Sequence, residues 1–275
     1  MHQDLLKHID RIIQQRPVAT EVLTAFRELV IIMGEVRPET KPVTLEDRLK
    51  EIKREEGFPV FSRGDLPIDF DSASELLKRF LGHLGAAERE DGEGLKKAME
   101  KTEGEPEWTK RLLKALLRDD MKALSRIAKG VDLEPEVLRF LGGVALNPSL
   151  SALRGSITDT LDKAGWEHGY CPLCGSRPDM ACFERTGKRY LHCELCGEEW
   201  PFPRVRCPFC DNHDHETLGY FQAEEEEGFR VDFCRKCQRY VKTVDRRVFE
   251  EPAPLELENL ATLHLDVLAA EHGFK

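Results

Sequence analysis

The chain has 275 residues, of which 33% are charged and 40% hydrophobic, and it carries a formal net charge of -10. That balance belongs to globular domains and excludes a disordered or membrane-embedded chain. The longest apolar stretch, Leu29 to Met33, is far short of the roughly 20 residues a spanning helix needs, and Asp4, Lys7, Asp10 and Arg11 interrupt the place where a signal peptide is continuously apolar. No membrane insertion is expected, and the expected setting is the cytoplasm.

Residues 1–165 read as a helical domain. Leu5, Leu6, Ile9, Ile12 and Ile13 form one apolar face, ended by Pro17; Leu23, Phe26, Leu29, Val30 and Met33 form a second, ended by Gly34 and Pro38. A short third helix is expected from Thr44, with Leu45, Leu49 and Ile52 inward. The segment Glu56 to Pro67 holds two prolines and two glycines and reads as an ordered loop, either a connector packing Phe58 and Phe61 on the core or a lip for a partner peptide. The next helix is capped by Asp71 or Ser72, with Ser72 and Glu75 spaced as a capping box and Leu76, Leu77, Phe80, Leu81 and Leu84 buried. Ala86 to Glu105 is charged and glycine-containing, either a helix frayed by Gly92 and Gly94 or a linker. Further amphipathic stripes follow at Trp108 to Leu117, Leu124 to Ile127, Val137 to Val144 and Leu150 to Leu161, the last with Pro148 near its first turn.

At residue 166 the chain changes character. Eight of the nine cysteines form four Cys-x-x-Cys pairs: Cys171/Cys174, Cys193/Cys196, Cys207/Cys210 and Cys234/Cys237. A two-residue gap lets both sulfurs of a pair face one ion from a tight knuckle, and two knuckles complete a tetrahedron around zinc or iron. Strand-like residues approach each second knuckle, at Lys188 to His192 and Phe229 to Phe233. The chain leaves through Trp200 to Val205 or Tyr240 to Val244. The expected fold is α+β: the helical domain, two tandem rubredoxin-like or zinc-ribbon modules at 166–203 and 204–250, and a C-terminal helix at 251–275 that docks back through Leu257, Leu260, Leu263, Leu265 and Leu268. Sequential pairing groups Cys171, Cys174, Cys193 and Cys196 in one site and Cys207, Cys210, Cys234 and Cys237 in the other; interleaved pairing stays open.

Four thiolates close each site, leaving no position for water or substrate, so metal-assisted hydrolysis is disfavoured. Zinc there is structural, and iron is a one-electron centre. Gly175 and Gly197 follow the first-site knuckles, whereas Asp211 and Gln238 stand at those positions in the second, which predicts poorer hydrogen bonding to its sulfurs. The odd Cys182 reads as a small buried strand residue. His192, His213 and His215 neighbour ligands without being needed as ligands, and Glu224 to Glu227 read as a solvated hairpin end. No phosphate loop, nucleophile elbow or other catalytic constellation is legible, so no enzyme is expected. Tyr170 to Glu250 holds 13 basic against 15 acidic residues, which gives no concentrated basic surface for nucleic acid.

Trp166-x-x-Gly-Tyr-Cys-Pro-Leu-Cys-Gly-Ser176, Arg189-Tyr-Leu-His-Cys-Glu-Leu-Cys196, Arg206-Cys-Pro-Phe-Cys210, Cys234-x-x-Cys-x-x-Tyr-Val-Lys-Thr-Val244 and the closing Leu260 to Phe274 resemble the formate dehydrogenase accessory protein family FdhE. The resemblance covers about 110 residues. It implies a cytoplasmic maturation factor that binds the catalytic subunit of respiratory formate dehydrogenase, with two iron ions of rubredoxin type, or zinc in one or both sites. The partner-binding surface is unknown from sequence, and a homodimer stays open. The competing readings are a rubredoxin-like electron carrier or thiol oxidoreductase, and a nucleic-acid-binding zinc ribbon.

Overall fold

The structure is a computed structural model that describes residues 2–39, 46–86, 91–157, 161, 163, 165–223 and 226–275. Apolar residues at helical spacing build its first half. Helix α1 (His2–Gln15) buries Ile9 and Ile12 and turns through Pro17 into α2 (Thr20–Met33), which buries Leu23, Leu29, Val30 and Met33. The hub is α4 (Phe70–Gly85), whose Leu76, Leu77, Phe80 and Leu81 are buried. It packs against α2, α5 (Gly92–Gly104), α6 (Pro106–Leu117) and α8 (Pro135–Ile157), and α7 (Met121–Lys129) lies on α6 and α8.

Several local expectations change. Helix α3 spans Asp47–Glu55, while Thr44 and Leu45 lie outside the described residues. Leu49 and Ile52 are 42% and 47% exposed rather than inward. Seven of the nine α3 residues are charged, so the helix keeps to the surface, held by Lys53 Nζ donating to the Val60 carbonyl at 2.7 Å. Helix α4 is capped by neither Asp71 nor Ser72. The Asp69 carboxylate accepts from both of their N–H groups at 3.1 Å and from the Ser72 hydroxyl at 2.6 Å, an arrangement worth about 1 kcal/mol. Pro148 lies in the middle of α8, not near a first turn. It cannot donate to the Val144 carbonyl, and burial of Leu146, Leu150 and Leu153 around it offsets that loss. Gly94 sits inside α5 because a Cβ there would lie 2.6 Å from the Asp132 carbonyl oxygen; residues 87–90 are outside the described set.

The second half is a six-stranded sheet in the order β3-β2-β1-β6-β5-β4. Each cysteine-rich half supplies an antiparallel trio: β1 (Pro178–Phe183), β2 (Arg189–Cys193) and β3 (Glu199–Pro201), then β4 (Leu218–Phe221), β5 (Phe229–Cys234) and β6 (Arg239–Asp245). The trios join through parallel pairing of β1 with β6, from Met180 opposite Lys242 to Phe183 opposite Asp245. Met180, Cys182, Phe229, Val231 and Val244 on one face meet Leu255, Leu265 and Ala269 of the C-terminal helices in a second core.

The tail is two helices, α9 (Leu255–Ala261) and α10 (Leu263–Glu271), broken at Thr262. Buried Lys242 explains the break: its ammonium takes the Asn259 carbonyl at 2.8 Å and the Asp266 carboxylate at 2.7 Å. Helix α9 also touches α1 and α2, where Glu258 pairs with Arg16 at 2.7 Å. At the β4–β5 hairpin, Glu224 and Glu225 are outside the described residues, and Glu226 lies 2.7 Å from His264 Nε2 rather than being free in solvent.

Candidate metal centres

The four knuckles share one backbone. The N–H after each second cysteine donates to the carbonyl of the first: Gly175 to Cys171 (2.9 Å), Gly197 to Cys193 (3.1 Å), Asp211 to Cys207 (3.1 Å) and Gln238 to Cys234 (2.9 Å). That turn requires the left-handed region, which glycine enters freely. Asp211 and Gln238 adopt it anyway, at φ 60° and 59°, beside 74° and 69° for Gly175 and Gly197. The second site therefore keeps the knuckle geometry. Backbone N–H groups of Phe209 and Cys210 reach Cys207, those of Lys236 and Cys237 reach Cys234, and that of Arg239 reaches Cys237. In the first cluster Leu195 and Cys196 N–H donate to Cys193 Sγ at 3.4 and 3.5 Å, so the left-handed Asp211 and Gln238 reproduce the turn without reversing the expected difference in sulfur hydrogen bonding.

The sulfurs group sequentially. Cys171, Cys174, Cys193 and Cys196 form one cluster and Cys207, Cys210, Cys234 and Cys237 the other, with all sulfurs of a cluster within 4.8 Å of one another. Separations of 3.6 Å (Cys171–Cys196), 3.5 Å (Cys174–Cys193), 3.7 Å (Cys207–Cys237) and 3.8 Å (Cys210–Cys234) match the edge of about 3.8 Å of a tetrahedron with metal–sulfur bonds of about 2.3 Å. They are far from the roughly 2.05 Å of a disulfide. Burial pushes the Cys171 and Cys193 thiols well up. Four buried thiolates coexist only around a cation, which supplies the missing charge. Both clusters are able to bind metal ions.

Their surroundings differ. All four sulfurs of the first cluster belong to the same apolar core as the helices, whereas Cys210 and Cys237 of the second are half-buried. The loop before α4 lies along the first knuckle, with Val60 and Phe61 N–H donating to the Pro172 and Leu173 carbonyls at 2.9 Å. Of that loop's expected anchors, Phe61 packs on the core while Phe58 is 62% exposed; Val60 and Leu66 are buried instead. Arg154 of α8 donates to the Gly197 carbonyl, and Arg63 holds Glu194 at 3.0 Å. The indoles of Trp166 and Trp200 donate to the Tyr170 and His168 carbonyls.

The histidines stand outside both clusters. Buried His192 has its Nδ1 2.7 Å from Asp179; burial disfavours the charged ring, but Asp179 raises its pKa on balance. His213 and His215 are exposed. Cys182 is a fully buried β1 residue, as expected, its thiol pushed up to about 12 by burial and by Glu199. The neighbouring Glu184 and Glu199 are engaged by Arg246. Two sulfur partners lie outside the expected set. Ser176 and Asn212 each stand two residues past a cysteine, and both reach a sulfur, Ser176 Oγ to Cys174 at 3.3 Å and Asn212 Nδ2 to Cys234 at 3.6 Å. Aligning the two halves exposes that equivalence.

Residues 170–204 match the family described as "FdhE, central domain", and residues 205–275 match "FdhE, C-terminal domain". Over residues 170–275 the chain matches the FdhE family. A protein FdhE homolog of Aquifex aeolicus is 29% identical over 177 residues, covering 62% of each chain. One from Pseudomonas aeruginosa is 30% identical over 167 residues, covering 55% of this chain and 52% of that protein. The chain thus spans about half to three-fifths of the length of these curated relatives. The crystal structure of the FdhE protein from Pseudomonas aeruginosa shares the fold, with a TM-score of 0.67 over 99% of this chain and 93% of that one at 24% identity. Among the described residues no helix is long and apolar enough to cross a membrane.

Proposed function

We propose that the protein is a cytoplasmic accessory factor that binds the catalytic subunit of a formate dehydrogenase and is needed for that enzyme's activity, without being a catalyst itself. Cys171, Cys174, Cys193 and Cys196 hold one metal ion and Cys207, Cys210, Cys234 and Cys237 a second, iron of rubredoxin type or zinc. The observation that carries the reading is the pair of closed four-cysteine clusters within the FdhE-matching segment. With every coordination position on sulfur, the ions fix the fold of the partner-facing half or exchange an electron; they do not activate water. Reduced cysteines grouped as ligands fit a reducing compartment.

A strain lacking the protein tests this. It should contain the dehydrogenase polypeptide with little formate oxidation, restored by the wild-type chain but not by Cys171→Ser. Unchanged formate oxidation in the deletion strain would remove the basis of the proposal.

A further inference from the structure

One face of the six-stranded sheet is covered by α9 and α10. Alternation along the strands sends a different set of side chains to the opposite face. The register sets Tyr220 against Asp232, Asp232 against Val241, and Phe183 against Arg189. These residues line a cleft of about 390 Å³ that also contains Arg204, Arg206, Arg230 and Arg239 and runs up to Cys207 and Cys234. Five of its lining residues are arginines and only one, Asp232, is acidic, in a protein whose net charge is -10.

The arginines are poorly neutralised. Arg189 and Arg230 share the single Asp232 carboxylate, at 3.6 and 2.9 Å. Arg206 pairs outside the cleft lining, with Asp211 and Glu167. Arg204 and Arg239 have no acidic partner among the described residues; each guanidinium lies over a ring, Phe183 at 4.7 Å and Phe209 at 5.3 Å. Stacking uses the guanidinium face and leaves its N–H edge free to donate. Arg189 is only 4% exposed; its Nη1 donates to the Pro203 and Arg206 carbonyls at 3.4 and 3.3 Å, and its buried Nε has no hydrogen-bond partner among the described residues. An unpaired buried donor on a permanently charged group is costly unless an anion meets it.

We propose that this cleft is a binding site for a small phosphate-bearing ligand, held by Arg189, Arg204, Arg230 and Arg239. Guanidinium groups brought to one cleft by β2, β5, β6 and the segment after β3 suit the several oxygens of phosphate or diphosphate, which fork geometry binds in pairs. The one carboxylate of the cleft engages Arg189 and Arg230 and leaves Arg204 and Arg239 without an acidic partner among the described residues, whereas phosphate carries up to two negative charges. The volume is that of a small-molecule site. The inference is independent of the formate dehydrogenase reading.

Calorimetric titration of the metal-loaded full chain with inorganic pyrophosphate, and with inorganic phosphate, tests the site. Saturable binding of one pyrophosphate per chain is expected, weakened about tenfold or more in each of Arg204→Gln and Arg239→Gln, since one charge-assisted bond is worth roughly that factor. Metal content should stay at the wild-type level in both variants, neither of which alters a cysteine or the buried Arg189. Absence of saturation at millimolar pyrophosphate, unchanged affinity in both variants, or tighter binding of a single-stranded oligonucleotide or a polyglutamate peptide would overturn the proposal. So would loss of the second metal in the variants, which would mean that the arginines serve only to balance thiolate charge.

Discussion

The two cysteine clusters repeat one local design in two unlike settings. The first is sealed inside the helical core and tied to it by Arg154, Arg63 and the Val60–Phe61 backbone. The second keeps the same knuckles with Asp211 and Gln238 in glycine's conformation, yet Cys210 and Cys237 remain half-buried and the cluster borders an open cationic cleft. Identical ligand geometry therefore does not mean identical attachment. The first cluster is part of the protein's main core, while the second is held chiefly by its own ribbon.

The largest effect should come from breaking the first cluster. Cys193→Ser should release its metal and lower Tm by on the order of 10 °C, at about 2–4 °C per kcal/mol for a chain of this size. Because those sulfurs share a core with the helices, calorimetry and circular dichroism should both report helix loss in that same transition. Cys237→Ser should release the second metal while moving the main transition by only a few degrees, on the order of 1 kcal/mol. In the wild type, a chelator should strip the second cluster first, which metal-resolved stopped-flow can follow. Faster loss from the first cluster would reverse the comparison.

Two backbone substitutions sharpen it further. Gly197→Ala should cost about 1–2 kcal/mol in denaturant unfolding, since alanine at φ 69° is strained and its Cβ would lie 2.9 Å from Arg154 Nη1. Gln238→Gly should do the opposite, gaining up to about 1 kcal/mol and slowing metal release from the second cluster. A destabilised Gln238→Gly variant would show that the left-handed turn there carries no strain.

Local chemistry was legible in the sequence, and long-range placement was not. The helical stripes and the knuckles follow from spacing within a few residues. Sequential grouping of the cysteines was one of two open pairings until the sulfurs were located. The merging of both ribbons through β1 and β6 depends on strands about sixty residues apart, for which no local pattern exists. Pro148 read as a helix start because proline favours a first turn, but burial on α4 carried the helix through it. The cationic cleft was hidden for a similar reason. Arg189, Arg204, Arg230 and Arg239 never form a basic run, and they meet only when β2, β5 and β6 share one sheet face.

The most direct test of the central claim is capture of the native protein from cells making a formate dehydrogenase, with protein identification and metal analysis on one sample. The dehydrogenase catalytic subunit should be the principal partner, with two metal ions per chain, and both should be reduced together in a Cys171→Ser, Cys193→Ser variant. Recovery of a metal-loaded chain without that subunit, or with nucleic acid as the dominant bound species, would contradict it.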